Sequence, residues 1–305
     1  MKKIIFALLL SINIYSAPAQ LQPCDSVRLP QYSEETKNRY EKNLAEAKTK
    51  LTTDSLNSDF IIWHGRRTAY MGNYMEAIEI YSKGIKLHAD NARFYRHRGH
   101  RFITVRCFDK AIADLAKAAE IIKDQVDEIE VDGIPNAANL PTSTLKTNIY
   151  YHLGLAYYIQ ADFNAASAAF KECLELLDNA DMYVATANWL YITLKRMGKS
   201  IEADDLIKTV YAGMDLLENQ NYLDILLMYK NNDDKKLLDQ MGSPGEQTIK
   251  QDSLSNATLG FGLGNYYLIK GQKKKAKEIF EKVVAGNQWA SFGFIAAEAE
   301  LKRMK

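Results

Sequence analysis

The stretch 150–176, YYHLGLAYYIQADFNAASAAFKECLEL, decides the fold. Tyr150, Leu153, Gly154 and Tyr157 recur at helical spacing, and Ala166 and Phe170 follow at positions where a second helix would meet the first. Small residues let two helices approach, and aromatic residues fill the gap between them. The same arrangement stands upstream: Gly65 and Gly99 are 34 residues apart, as are Ala77 and Ala111, and Tyr81 and Leu115 hold the same relative place. Downstream, Leu263, Gly264, Tyr267, Gly271, Ala276 and Phe280 restore it. A 34-residue period of paired helices predicts an all-α solenoid in which each pair stacks on its neighbours.

In 150–176 the six positions Tyr150, Leu153, Gly154, Tyr157, Ala166 and Phe170 resemble the Trp, Leu, Gly, Tyr, Ala and Phe slots of the tetratricopeptide repeat (TPR). GNYMEAIEIYSKGI at 72–85 is similar to the second helix of such a unit. ATANWLYITLKRMGKSIEADDLIKTV at 185–210 keeps Leu190, Gly198 and Ala203 but has Tyr191 where the pattern has glycine. The resemblance implies a TPR-type α-solenoid of about five helical hairpins with N- and C-terminal capping helices. WHGRR at 63–67, RHRGHR at 96–101, DEIEVDGIPN at 127–136 with PTSTL at 141–145, YHLGLAYY at 151–158 and WASFGFIAAEAEL at 289–301 also resemble a group of exported bacterial TPR proteins.

In chain order, residues 20–58 read as an unstructured leader, broken by Pro23 and Pro30, and a capping helix from Ser33 to Leu51. Residues 59–210 hold four units, interrupted by an acidic insert at 124–146. Residues 211–256 lose the pattern. They form a helical connector whose pieces, such as 222–230 and 233–241, are broken by Asn231-Asn232 and Gly242-Ser243-Pro244-Gly245. Residues 257–305 hold the last unit and a terminal helix that buries Trp289, Phe292 and Ile295.

Composition supports this architecture. With 47% hydrophobic and 25% charged residues the chain can bury a core, and 6 prolines among 305 residues are few for a sandwich or barrel. MKKIIFALLLSINIYSAPAQ, with Lys2, Lys3, an apolar run and Ala17-Pro18-Ala19, reads as a signal peptide over 1–19, cleaved before Gln20. The expectation is an exported protein, periplasmic or secreted, with no membrane-spanning segment in the mature chain. Without Lys2 and Lys3 the formal charge falls from +1 to −1, which argues against nucleic acid as a partner. Cys24, Cys107 and Cys173 are odd in number and not at metal-ligand spacing, so neither a disulfide framework nor a zinc site is expected. Cys24 lies near enough to the signal to raise a lipid-anchor reading, which Leu21-Gln22-Pro23 argues against.

The resemblance to the TPR implies that the first helices of the hairpins line a concave groove. They bring Trp63, Arg66, Tyr70, Arg96, His97, His100, Tyr151, His152, Asn188 and Arg196 to it. A surface of Arg, His and aromatic groups suits a carboxylate-bearing protein or peptide, because the guanidinium fork matches a carboxylate. It resembles the carboxylate clamp of TPR proteins that bind acidic chaperone tails, but without that clamp's Lys and Asn slots. Arg98 and Arg101 point toward the packing side and need internal partners, because an unpaired buried charge is costly, and Arg66, Arg67, Arg96 and Arg98 are the groups onto which the acidic insert could fold back. Asp127, Glu128, Glu130 and Asp132 of the insert are the candidates.

The enzymatic readings are weaker. His97 and His100 stand three apart on one helix, but the neighbouring arginines repel a cation, so no metal or other cofactor is expected. Gly260-Phe261-Gly262-Leu263-Gly264 lacks the spacing and the preceding strand of a dinucleotide loop. Cys107 and Cys173 fall in helix-packing slots, as buried thiols would. The expected function is a non-enzymatic binding scaffold. The alternative is an anionic small-molecule or catalytic site with the insert closed over the Arg/His cluster.

Overall fold

The computed structural model describes Cys24, residues 26–241 and residues 254–305. The signal sequence and the Gly242–Gly245 break lie outside the described residues. Fourteen helices are present among the described residues. In chain order they are α1 (Glu34–Thr53), α2 (Ser58–Tyr70), α3 (Tyr74–Leu87), α4 (Ala92–Thr104), α5 (Phe108–Ile122), α6 (Leu145–Ile159) and α7 (Phe163–Glu175). They continue with α8 (Ala180–Arg196), α9 (Ser200–Leu206), α10 (Gln220–Asn231), α11 (Lys235–Met241), α12 (Leu254–Ile269), α13 (Lys273–Ala285) and α14 (Phe292–Arg303). None is long and apolar enough to cross a membrane.

The hairpins form for the reason the spacing gives. Side chains at Gly65, Gly154 and Gly264 would collide with Tyr81, Phe170 and Phe280 of the facing helices, and one at Gly99 would meet Leu115. Glycine on the first helix therefore seats a large apolar group of the second. Tyr81, Leu115, Phe170 and Phe280 are all fully or almost fully buried. Each such side chain contributes roughly 1.5–3 kcal/mol. Side-chain caps start several helices: Ser33 on α1, Asn57 on α2, Asp162 on α7 and Ser291 on α14. Asp181 of α8, 3% exposed, accepts from the amides of Leu217, Glu218 and Asn219, which leads the connector into α10.

Two expectations are corrected. The leader is pinned rather than unstructured: Tyr32 donates to the Tyr70 carbonyl at 2.9 Å, and Leu29 and Pro30 lie against Gly72 at the α2–α3 turn. Cys24 forms a disulfide with Cys107, their Cα atoms 5.1 Å apart across 83 residues. The odd count hid this pair because only the folded path of the leader brings Cys24 to the α4–α5 turn. Cys173 is the remaining thiol, its pKa pushed up to about 11 by burial.

The terminal helix packs on α12 and α13 and also reaches back across the array. Trp289 lies 5.9 Å from the Tyr74 ring, Glu298 meets Arg106 at 2.8 Å, and Glu300 meets Arg196 at 2.7 Å. Arg303 donates to the carbonyl of Tyr158 at 2.9 Å. The end of the chain is thus fastened to the first four units.

Candidate functional site

The inner face of α2 presents Trp63, Arg66, Arg67 and Tyr70, all partly exposed. Both guanidiniums stack on the Trp63 ring, at 4.4 and 4.8 Å from its centroid, where the π face favours a cation. Arg66 donates to the Val131 carbonyl at 2.8 Å and Arg67 to that of Gly133 at 2.9 Å. Gly133 passes directly against Tyr70 and Arg66, and a Cβ there would overlap the Tyr70 hydroxyl. Burial lowers the pKa of Arg67 from the usual guanidinium value. Among the described residues neither Arg66 nor Arg67 forms an ion pair with a carboxylate.

Helix α4 supplies Arg93, Arg96 and His97. Arg93 sits between Asp59 at 2.5 Å and Glu128 at 3.8 Å. Arg96 pairs with Glu130 at 3.0 Å, both side chains about nine-tenths buried. His97 stacks on Tyr81 and accepts at Nδ1 from Arg96 at 3.1 Å. Arginine is only a donor, so the proton of the neutral ring sits on Nε2. Burial first, then Arg96 and Arg66, hold the His97 pKa well below its ordinary value.

The expected internal pairing is only partly of the kind proposed. Arg98 does not reach the insert: it forks onto Asp114 of α5 at 2.7 and 2.8 Å and donates to Ser82. Arg101 lies 5.9 Å from the Tyr74 ring and forms no ion pair with the insert acids among the described residues. Arg67 meets a carbonyl rather than a carboxylate. Asp127 is consumed by the backbone, accepting from the amides of Glu128 and Lys146 at 2.9 and 3.0 Å. It thereby caps the N-terminus of α6, where a negative charge is favoured. Asp132 is half-buried, its pKa raised by burial and by nearby Glu218.

Of the remaining groove residues, His100, Tyr151, His152 and Arg196 are corrected because α14 lies against them, and Asn188 because it is buried. Phe292 lies 5.2 Å from His100 and 5.3 Å from His152, which themselves stand 4.5 Å apart, and 6.4 Å from Tyr151. Tyr151 is tied by Trp189 at 3.0 Å, Asn188 is 2% exposed, and Arg196 is held by Glu300. Repeat register placed these side chains on the inner face; it carried no information that the chain's own end would occupy that face.

A cleft of about 640 Å³ is left beside α1, α2 and α4, bounded by the insert. Trp63, Arg66, Arg67, Arg93 and His97 form one wall, and Glu128, Glu130 and Val131 the other. Helix α1 adds Asn43, Glu46, Ala47 and Lys50, which the sequence reading treated as part of a cap. Their spacing of three, four and seven residues was the available signal, since it puts all four on one helix face.

A family model for the tetratricopeptide repeat matches residues 147–176 and 261–285, each covering a helical hairpin with its Gly–Phe contact. The chain contains tetratricopeptide repeats. No curated protein matches it. Solved structures similar to this TPR chain include a tetratricopeptide repeat protein from Parabacteroides merdae ATCC 43184, 17% identical over 87% of this chain and 92% of that one, with a TM-score of 0.48. YrrB, described as a TPR protein with an unusual peptide-binding site, is 14% identical over 83% and 97%, with a TM-score of 0.43. MamA AMB-1 is 20% identical over 61% and 90%, also with a TM-score of 0.43.

Proposed function

We propose that this TPR protein is a non-enzymatic scaffold that takes a carboxylate-bearing segment of a partner protein in the cleft beside Trp63. The observation that carries this is the pair Arg66 and Arg67, stacked on Trp63 at the cleft wall, each with a backbone carbonyl and neither with a carboxylate among the described residues. Two guanidiniums held side by side by an aromatic ring and two carbonyls are oriented in advance for an anion, which lowers the ordering cost of binding. The groove beyond His100 plays no part in this reading, because Phe292 of α14 packs against His100 and His152 there.

Trp63 is partly exposed whereas Trp189 and Trp289 are 1% and 4% exposed, so ligand in the cleft is expected to change mainly the Trp63 emission. In a fluorescence titration, acidic peptides should bind at least about tenfold more tightly than their amidated or Asn/Gln counterparts, the scale of one charge-assisted contact. Arg66→Gln should remove that preference. Equal binding of acid and amide forms sinks the proposal. The cleft volume also lies in the range of small-ligand sites, which favours a second reading. Tight binding of a free dicarboxylate such as succinate would support that reading instead.

Export is part of the same proposal. Its support is the charged, apolar and small-residue order of 1–19 together with the Cys24–Cys107 pair, since disulfides persist in oxidising compartments. The bonded Cys24 sulfur is also unavailable for a lipid. Fractionation and N-terminal sequencing should find a chain beginning at Gln20 outside the cytoplasm; an intact N-terminus inside it contradicts the proposal.

A further inference from the structure

The insert crosses α2 and α4 in an extended conformation, pairing Ile129 with Thr144 as an isolated antiparallel bridge. Its orientation is inverted relative to a strand that packs on a core. Glu128 and Glu130 face arginines, whereas Val126, Ile129, Val131 and Ile134 are 94%, 69%, 57% and 53% exposed. Apolar burial therefore does not hold 126–134 in place. Its hold comes from Glu130 on Arg96, from the Val131 and Gly133 carbonyls on Arg66 and Arg67, and from backbone bonds of Glu128 and Glu130 to 143–145. A carboxylate and two main-chain carbonyls laid on three arginines are the contacts an acidic extended peptide from another protein would make here.

The fit is also incomplete. Arg96 reaches Glu130 through Nη2 at 3.0 Å, while Arg96 Nε, Glu130 Oε2 and His97 Nε2 are buried without a hydrogen-bond partner among the described residues. His97 Nε2 lies 3.8 Å from Glu130 Oε1, beyond hydrogen-bond reach. A carboxylate free to approach along the guanidinium fork would engage both Nε and Nη2 of Arg96, the stronger geometry.

We infer that residues 127–133 are a built-in pseudo-ligand, and that the partner segment taken by this site is an extended strand alternating acidic and apolar residues, which displaces the insert from Arg96 and Arg66. The inference rests on the cleft reading above and adds the ligand's pattern and its competition with the chain itself.

The test uses the full mature chain and a fluorescent, acetylated and amidated peptide of residues 126–134, followed by anisotropy. A Glu128→Gln/Glu130→Gln variant, whose insert has lost its hold, should bind the peptide at least about tenfold more tightly than wild type, and a twin peptide with Gln for both Glu should bind at least about tenfold more weakly. Equal affinity of the two proteins, or of the two peptides, overturns the inference. A second measurement needs no substitution. Saturating peptide added to wild type should speed hydrogen exchange of the Glu130 and Leu145 amides, which the insert's pairing protects, and unchanged or slower exchange counts against displacement. Acidic peptides that quench Trp63 equally in both proteins while those amides stay protected would leave the cleft reading standing and overturn this one. Failure of every acidic probe to bind either protein overturns both.

Discussion

Arg106 and Glu298, 192 positions apart in the chain, meet at 2.8 Å, and the Arg106 guanidinium also lies 3.9 Å from the Trp289 ring centroid. Arg106 occupies the left-handed region, φ 62°, at the α4–α5 turn, 34 residues after Gly72, which stands at φ 84° in the α2–α3 turn. A non-glycine residue there costs about 1–2 kcal/mol, so the guanidinium's contacts offset a backbone penalty. Its side chain is 3% exposed.

Replacing Arg106 by glycine relaxes that turn yet leaves Glu298 and the Trp289 carbonyl without their donor. Removing one member of a buried pair costs about 3–5 kcal/mol, more than the strain relieved. Arg106→Gly should therefore destabilise by a net of roughly 1–4 kcal/mol in urea denaturation, with a red-shifted Trp289 emission. A stabilised Arg106→Gly protein would show the latch to be weak.

The disulfide makes a separate prediction. Closing a loop of 83 residues removes unfolded-state entropy, and typical native disulfides contribute about 2–4 kcal/mol. Cys24→Ser should lower the thermal midpoint, and dithiothreitol should lower that of wild type while leaving the variant unmoved. Equal sensitivity of the two proteins to reductant would mean that the pair is absent.

The buried histidines set a pH dependence. His97, His100 and His152 all have pKa values held well below the ordinary 6.5, by burial first and neighbouring arginines next. The unfolded chain takes up protons near pH 6.5 while the folded chain does not, so stability is full above that value and falls below it. Each neutral-locked histidine loses about 1.4 kcal/mol per pH unit, so three give an upper limit of about 4 kcal/mol between pH 7.5 and 5.5. Asp114 and Asp132, whose pKa values burial raises, act in the opposite sense, from the ordinary carboxylate value upward. Urea midpoints at the two pH values check this, and His152→Gln should flatten the slope. A flat wild-type profile contradicts it.

Gly133 tests how the insert is seated. A methyl group there collides with Tyr70, so Gly133→Ala should lift the 131–133 carbonyls from Arg66 and Arg67 and cost about 1–3 kcal/mol, the range for overpacking. Tyr70→Phe should recover part of the loss. Full additivity in the double-mutant cycle would show that the two residues do not touch.

The fold was legible because each hairpin writes its own packing into the sequence: Gly154 needs Phe170 and Gly264 needs Phe280 at fixed separations. The site was legible only where its parts lie on one helix, as in Trp63 with Arg66 or Arg96 with His97. Contacts between segments far apart left no periodic trace. Cys24 with Cys107, Phe292 over His152, and Arg196 with Glu300 depend on the path of the leader and of α14, which pairwise repeat register does not encode. Arg98 with Asp114 is intermediate. The two lie in the same unit, 16 residues apart on facing helices, so their pairing is legible in the alignment of those helices.

Open repeat arrays change length by gaining or losing whole units, because each contacts only its neighbours. Here one more hairpin anywhere between α5 and α12 would carry Glu298 away from Arg106 and Trp289 away from Tyr74. The number of units is therefore tied to the fastening of the chain's end, and duplication or deletion of a single repeat should be poorly tolerated in this lineage.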